Sequence, residues 1–167
     1  MMFEVNQIPL ETKWAMATQA LTGALSAHLD ALYNTVGQER YVEIIRQIWT
    51  QLGQGSAEVI RSMDLKVDNA RLVGEAGVTI CMCAMGPEYK IEEVEVSENR
   101  TVMKVIECPW KNRMKEFGIS HDLLSACDTA FWNQFVKSLN PNVKMRHGKQ
   151  MHRGDPYCEW IFETKEE

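Results

Sequence analysis

Gly86 and Pro87 divide the sequence into two parts with different hydrophobic periods. Before this pair, apolar residues recur every three or four positions, which is the period of one helix face. After it, the runs "YKIEEVEV" and "TVMKVIEC" are rich in β-branched residues and partly alternate apolar with charged residues, as strands do. Because a Gly-Pro pair is a strong helix stop, the sequence predicts an α+β fold: N-terminal helices followed by a ββαββ unit with an antiparallel sheet.

Three helices are predicted in the first part. The first follows Pro9 and ends near Gly37, and its apolar residues form one stripe: Leu10, Trp14, Ala17, Leu21, Leu25, His28 and Leu32. The second covers Gln38 to Leu52, where "LGQGS" weakens it, with a further short helical turn reaching Met63. The third covers Asp68 to Met85. Its interior "GVTICMC" fits a helix or a buried strand, and we favour the helix.

The second part is predicted to contain two antiparallel strand pairs around one helix. The two β-rich runs are joined by "SENR" as a hairpin, and Ser120 is a good N-cap for a helix from His121 to about Leu139. Val143 to Gln150 and Pro156 to Glu163 form the second pair. Alternation then places Cys158, Trp160 and Phe162 on one face of the last strand.

Composition narrows the class of protein. The 167 residues, 45% of them hydrophobic, predict one domain over residues 1–167, with a mostly helical half at 1–86 and the ββαββ half at 87–163. A net charge of −5, without a long basic cluster, argues against a nucleic-acid partner. The longest apolar run, "VTICMCAM", is far shorter than the ~20 residues of a membrane helix, and the N-terminus lacks the pattern of a signal peptide. We therefore expect a cytoplasmic protein with no membrane partner.

Four ligand-type residues lie in the second part, three of them at element ends. They are Cys108, Cys127, His152 and Cys158. Three thiolates and one imidazole suit a tetrahedral zinc site, and iron is also chemically compatible. The chain has five cysteines, so they cannot all pair with one another, and in a reducing compartment they are free, metal-bound or catalytic. The alternative is that these cysteines pack as small hydrophobes, since no two of the three form a CxxC motif.

The same residues also fit nucleophilic catalysis. Cys158, with His152 or His147 as base and Asp155 to orient the base, is one arrangement, and Cys108 with a histidine from elsewhere in the fold is another. The alternative is that Gly154-Asp155-Pro156 is a turn in which the aspartate accepts backbone N–H groups. That alternative accounts for the turn residues but not for His152 or Cys158.

The second part resembles a known family. The matching segments are "ECPWKNRMKEFG" (107–118), the helix containing Cys127, and "GDPYCEWIF" (154–162). They resemble the L-2-amino-thiazoline-4-carboxylic acid hydrolase-like family and, more distantly, the 4-vinyl reductase domain. The helical segment "GQERYVEIIRQIWTQLGQGSAE" (37–58) is similar in style to the hydrolase-like group.

The resemblance implies a small α+β domain that handles a small-molecule ligand or substrate, commonly as a homodimer. The named hydrolase opens a cyclic thiazoline, whereas the 4-vinyl reductase-type domain is a ligand-binding module whose cysteines are candidate metal ligands. The residues that match the pattern are Cys108, Pro109, Cys127, Gly154, Asp155 and Cys158. This chain has His152 near a position where the 4-vinyl reductase-type pattern has a cysteine.

Two functions from different classes follow. The first is hydrolysis of a non-peptide C–N bond in a small heterocycle or amide by a Cys/His site. The second is a non-catalytic ligand- or metal-binding module. A third alternative is a helical dimerisation scaffold that uses the Leu10 to Leu32 stripe as its interface.

Overall fold

The computed structural model describes residues 7–165. Residues 1–6 and 166–167, which belong to the predicted domain of residues 1–167, lie outside the described residues. The expectation that the N-terminus lacks a signal peptide thus concerns, in part, residues 1–6 outside the described structure.

The described residues form five α-helices and four strands. In chain order they are α1 (Leu10–Val36), α2 (Gln38–Ser62), α3 (Ala70–Met85), β1 (Lys90–Val96), β2 (Arg100–Glu107), α4 (Pro109–Glu116), α5 (Leu124–Leu139), β3 (Val143–His147) and β4 (Cys158–Thr164). The chain contains both helices and a sheet, and three helices precede the first strand, which confirms the predicted α+β class. No helix built from residues 7–165 is long and apolar enough to cross a membrane.

The four strands form one antiparallel sheet in the order β1-β2-β4-β3. In the two central strands, Met103 lies opposite Trp160 and Val105 lies opposite Cys158, so these four side chains share one face. Helix α3 covers this face together with α5. The shared face of Cys158, Trp160 and Phe162 is therefore the one that the sequence predicts.

The largest differences from the sequence prediction concern the helices α2, α4 and α5. Helix α2 continues through "LGQGS" to Ser62 without a break, because Gly53 and Ala57 are buried and allow close packing. An additional helix, α4, follows Cys108 directly and has Pro109 in its first turn. Helix α5 begins at Leu124 rather than His121, because the Asp122 carboxylate accepts the N–H groups of Leu124 and Ser125.

The core consists of two clusters of buried side chains. One joins α3 and α5 to the sheet and includes Val73, Phe135 and Phe162. The other joins α1, α2 and α4 to the beginning of α5 and includes Tyr41 and Trp110. The Tyr41 hydroxyl donates to the Leu123 carbonyl at 2.9 Å, which ties α2 to the start of α5.

The apolar stripe of α1 is not its buried face. Leu10 and Leu21 are 81% and 47% exposed, whereas Thr18, Thr22, Ser26 and Leu29 are buried. The hydroxyls of Thr18 and Thr22 donate to carbonyls one turn earlier in α1, at 2.8 and 2.9 Å. Small polar residues face inward because the neighbouring backbone is close: a Cβ on Gly86 would lie 2.0 Å from Thr18 Oγ1.

Two glycines of α2 provide a matched test of close packing between α2 and α5. A Cβ at Gly53 would lie 2.5 Å from the Phe131 carbonyl oxygen, whereas a Cβ at Gly55 would meet nothing within 4 Å. We expect Gly53→Ala to lower the free energy of unfolding by about 1–3 kcal/mol through overpacking. Gly55→Ala should raise it by about 0.5–1 kcal/mol, because alanine is the better helix former. Urea denaturation measures both values, and a stabilising Gly53→Ala would contradict the packing described here.

Candidate functional site

An apolar cavity of about 720 Å³ lies between the two core clusters, and we call it the central cavity. Residues of both clusters line it, including Ile45 and Leu124 from one and Val105 and Met151 from the other. The partly exposed side chains Leu21, Leu25, Ile48 and Leu52, on α1 and α2, also line it. The cavity is thus bordered by these two helices and reaches inward to the sheet.

Aromatic rings form much of the cavity wall. Trp49 and Trp110 meet edge to face, with ring centroids 5.7 Å apart. Deeper in the core, the Trp132 and Trp160 centroids are 4.6 Å apart. All four rings line the cavity. Rigid rings of this kind offer large apolar contact surfaces to a ligand at little cost in side-chain entropy.

Four of the five site residues predicted from the sequence line the central cavity. They are Cys108, Cys127, His152 and Cys158, which come from four different segments of the chain. Cys81 of α3, which the sequence analysis does not assign to the site, lines it as well. The convergence of the four predicted residues on one space is a result of the tertiary fold.

Local structure fixes each of these side chains. Cys108 is the N-cap residue of α4, where the backbone N–H groups of Lys111 and Trp110 favour its thiolate form. Cys127 Sγ donates to the Leu123 carbonyl at 3.2 Å. Cys158 Sγ accepts the Met151 N–H, also at 3.2 Å.

Burial keeps these thiols protonated at neutral pH. It raises the pKa of Cys108 to about 12, despite the two N–H groups that favour the thiolate. Burial also raises the pKa of Cys81, Cys127 and Cys158 above the usual value for a thiol. Since the thiolate is the reactive form, the environment makes each of these groups a poor nucleophile.

His152 lies in a 3₁₀ turn, Met151–Arg153, that precedes β4. Its Nε2 is buried and has no hydrogen-bond partner in the described part of the chain. Burial lowers the pKa of His152 and lowers that of the neighbouring His147 to about 4. Both imidazoles are therefore neutral at pH 7.

Asp155 lies outside the wall of the central cavity. Its Oδ2 accepts the Gln150 N–H at 2.8 Å, which closes the turn that Gly154 continues at φ +98°. This is the hydrogen bond expected if Gly154-Asp155-Pro156 acts as a turn. In the described structure, Asp155 has no hydrogen bond to a histidine.

The four predicted metal ligands line the same cavity, but their side chains are too far apart to coordinate one metal ion. Within residues 7–165, no three His, Cys, Asp or Glu side chains are grouped closely enough to hold a metal ion. Binding of zinc or iron by Cys108, Cys127, His152 and Cys158 therefore stays a prediction.

Asp128 is the site residue that the sequence analysis missed. It lies on α5 on the same face as Leu124, Phe131 and Trp132, and all four line the central cavity. No other described residue forms a hydrogen bond or an ion pair with its carboxyl group. Burial, with a smaller contribution from Asp122, raises the pKa of Asp128 from 3.8 to about 7.

A signal for Asp128 is present in the sequence. A single acidic residue among Leu124, Phe131, Trp132 and Phe135 lies on the apolar face of a predicted helix, where a charge is costly. A carboxyl in such a position is expected to have a raised pKa or a specific partner.

Asp128 makes the chain less stable as the pH rises from about 4 to about 7. The folded chain holds this proton up to pH about 7, whereas the unfolded chain releases it near pH 3.8. The unfolded state thus binds fewer protons in this window, so the free energy of unfolding falls with pH, by a few kcal/mol. We expect Asp128→Asn to lack this decrease when urea denaturation is measured at several pH values. Asp68→Asn, at an exposed residue, is the control for the loss of one negative charge. The prediction is contradicted if the free energy of unfolding changes equally with pH in the native chain and in Asp128→Asn.

Two solved structures share the fold. The phenol-responsive sensory domain of the transcription activator PoxR, solved with phenol, has a TM-score of 0.63 and 16% identity, covering 86% of this chain and 74% of that domain. A trafficking protein particle complex subunit 3 from Naegleria fowleri, covalently bound to palmitic acid, has a TM-score of 0.60 and 12% identity. That match covers 89% of this chain and 97% of the subunit. At these identities the similarity establishes the fold alone.

The sequence itself gives the family. No curated protein matches the chain. A family model described as L-2-amino-thiazoline-4-carboxylic acid hydrolase matches residues 16–162, which include α2 to β3 entirely and most of α1 and β4. This confirms the resemblance predicted from the cysteine-containing segments. The chain belongs to the L-2-amino-thiazoline-4-carboxylic acid hydrolase family.

Proposed function

We propose that the chain binds a small, largely apolar molecule in the central cavity without transforming it. The observation that carries this proposal is the cavity itself, which has about 720 Å³ of space within apolar and aromatic walls. Ligand cavities of about 300–1,000 Å³ with few polar groups are typical of small-molecule sites.

The energy for binding comes from the apolar surface of the ligand. Burial of such surface contributes about 25 cal/mol per Å², and the rings of Trp49, Trp110, Trp132 and Trp160 provide contact on several sides. The cavity lies inside the fold, so ligand binding requires no folding of a disordered segment. The binding free energy is therefore spent on contacts rather than on ordering the chain.

The ligands in the two similar structures support an apolar ligand. Phenol accompanies the PoxR sensory domain, and palmitic acid is bound to the trafficking subunit. Both molecules are mainly hydrocarbon with one polar end. We infer a ligand of this general type for the present chain.

Hydrolysis of a non-peptide C–N bond is the second candidate. The family carries the name of a hydrolase, and Cys108, His152 and Cys158 line one cavity. In this reaction Cys158 or Cys108 would attack the carbon while a neutral His152 accepts the thiol proton. The C–N bond would then break as that proton passes to the leaving nitrogen, and water would release the product from the sulfur. The raised pKa of both thiols favours binding over hydrolysis.

Other sequence predictions also remain proposals. A homodimer is supported by the exposed apolar side chains Leu21, Leu25, Ile48 and Leu52 on α1 and α2. Zinc or iron at Cys108, Cys127, His152 and Cys158 requires these side chains to move closer together. The cytoplasmic location and the lack of a nucleic-acid partner rest on the sequence.

Filling the cavity tests the binding proposal. Cys81→Phe places a ring in the cavity wall, so we expect it to weaken binding of the apolar fluorescent probe N-phenyl-1-naphthylamine about ten-fold or more, since its space is occupied. Cys83→Phe changes the same residue type two positions later on α3, where the side chain is exposed and outside the central cavity, and should bind the probe normally. Fluorescence titration measures both, and equal affinities for Cys81→Phe and the native chain would contradict the proposal.

Thiol reactivity separates binding from cysteine-dependent hydrolysis. Cys83 is exposed, Cys81 and Cys127 are buried, and the half-buried Cys108 and Cys158 have a raised pKa. We therefore expect one fast thiol per native chain towards a disulfide reagent such as DTNB, and five after unfolding. Cys83→Ser should remove the fast reaction. A fast thiol that persists in Cys83→Ser but is lost in Cys108→Ser or Cys158→Ser would favour hydrolysis instead.

A further inference from the structure

The wall of the central cavity contains one acidic residue, Asp128, with which no described cation is paired. Asp128 lines the cavity from the same face of α5 as Leu124, Phe131 and Trp132. The Asp128 carboxyl forms no hydrogen bond or ion pair with another described residue. Asp128 is half-buried, and an unpaired carboxyl in the wall of a ligand-sized apolar cavity is placed to bind a group that the ligand supplies.

The groups that face Asp128 are neutral at pH 7. They are Cys81 of α3, Tyr89 before β1, Cys108 before α4, Cys127 on α5 and Cys158 of β4, and each is close enough for the Asp128 charge to raise its pKa. The other charge that affects Asp128 is Asp122, which is also acidic. The neighbourhood thus contains thiols, a phenol and a second carboxylate.

Five basic side chains also line the cavity. Lys115 of α4 is exposed, His28 Nδ1 lies 2.6 Å from the Ala24 carbonyl, and the other three are engaged or neutral. Lys111 Nζ donates to the Met151 carbonyl at 2.6 Å, and His152 has a lowered pKa. His121 Nε2 lies 3.0 Å from Asp30 Oδ1, in a pair that belongs to α1 and the loop before α5. None of these groups is among the influences on the Asp128 pKa.

We propose that the ligand of the central cavity carries a protonated nitrogen on an apolar body, and that this nitrogen binds the Asp128 carboxylate. The inference rests on the proposed function and adds the chemical class of the ligand, a lipophilic amine or amidine. The apolar body lies against the aromatic walls, and the nitrogen supplies the positive charge that the surroundings of Asp128 lack. A ligand with its own carboxylate near this end would be repelled by Asp128 and Asp122.

Three probes with one apolar body test the ligand class. They are 4-phenylbutylamine, 4-phenylbutanol and butylbenzene, each titrated into the full chain by calorimetry at pH about 7.5. We expect the amine to bind about ten-fold or more tightly than the alcohol, because a charge-assisted hydrogen bond in an apolar cavity is stronger than a neutral one. In Asp128→Asn this preference should fall below about three-fold, while butylbenzene binds as it does to the native chain.

A pH series on the native chain tests the same assignment without a variant. Below pH about 7, Asp128 must lose its proton before it can pair with the amine, so amine affinity should rise from pH about 5.5 to about 8. Alcohol affinity should stay nearly constant over this range. This comparison remains decisive if Asp128→Asn fails to fold.

The outcomes separate the two proposals. Equal affinities for amine and alcohol, or an amine preference that survives in Asp128→Asn, would overturn the role of Asp128 and leave the apolar cavity as a binding site. Failure of all three probes to bind the native chain would overturn the proposed function itself.

Discussion

The rest of the core depends on two packing constraints: the close approach of the α2 and α5 backbones, and the packing of α3 against the Trp132 side chain of α5. At Gly53 the α2 backbone contacts the α5 backbone, and at Gly77 a Cβ would lie 2.7 Å from the Trp132 ring. Since these contacts have no room for larger side chains, they fix the spacing of the three helices. Trp132 is held in place by α3 on one side and contributes to the cavity wall on the other. The cavity is therefore set in a rigid frame.

Burial has opposite consequences for the thiols and for Asp128. The low polarity that leaves Cys108 and Cys158 protonated removes their nucleophilicity at neutral pH. The same low polarity brings the pKa of Asp128 into the physiological range. The same apolar environment thus lowers the reactivity of the predicted nucleophiles and makes the charge of Asp128 sensitive to pH near 7.

The fold was largely predictable from the sequence, whereas the site was predictable only in part. The helical period, the stop at Gly86-Pro87 and the strand alternation depend on local spacing, and they gave the correct class and strand pairs. The convergence of Cys108, Cys127, His152 and Cys158 depends on tertiary packing, and the sequence indicated it only through their ligand chemistry and, for the three cysteines, the family motifs. The place of Asp128 on the apolar face of α5 could be read from the sequence, whereas its lack of a partner among the described residues depends on its three-dimensional neighbours. The exposed stripe of α1 was not distinguishable from a buried one, because periodicity does not tell which face the rest of the chain covers.

The small polar inner face of α1 has a consequence for how fast a ligand exchanges. Thr18 and Thr22 satisfy their hydroxyls within α1 itself, so the helix gains little from its neighbours through these residues. Helix α2, in contrast, contributes the large side chains of Tyr41 and Ile45 to the core, where each is 1% exposed. Local separation of α1 from the fold therefore costs less free energy than separation of α2, and α1 borders the cavity through Leu21, Leu25 and Leu29. We therefore expect a ligand to enter and leave the cavity by separation of α1 rather than of α2, so that the rate of exchange depends on the packing of this helix.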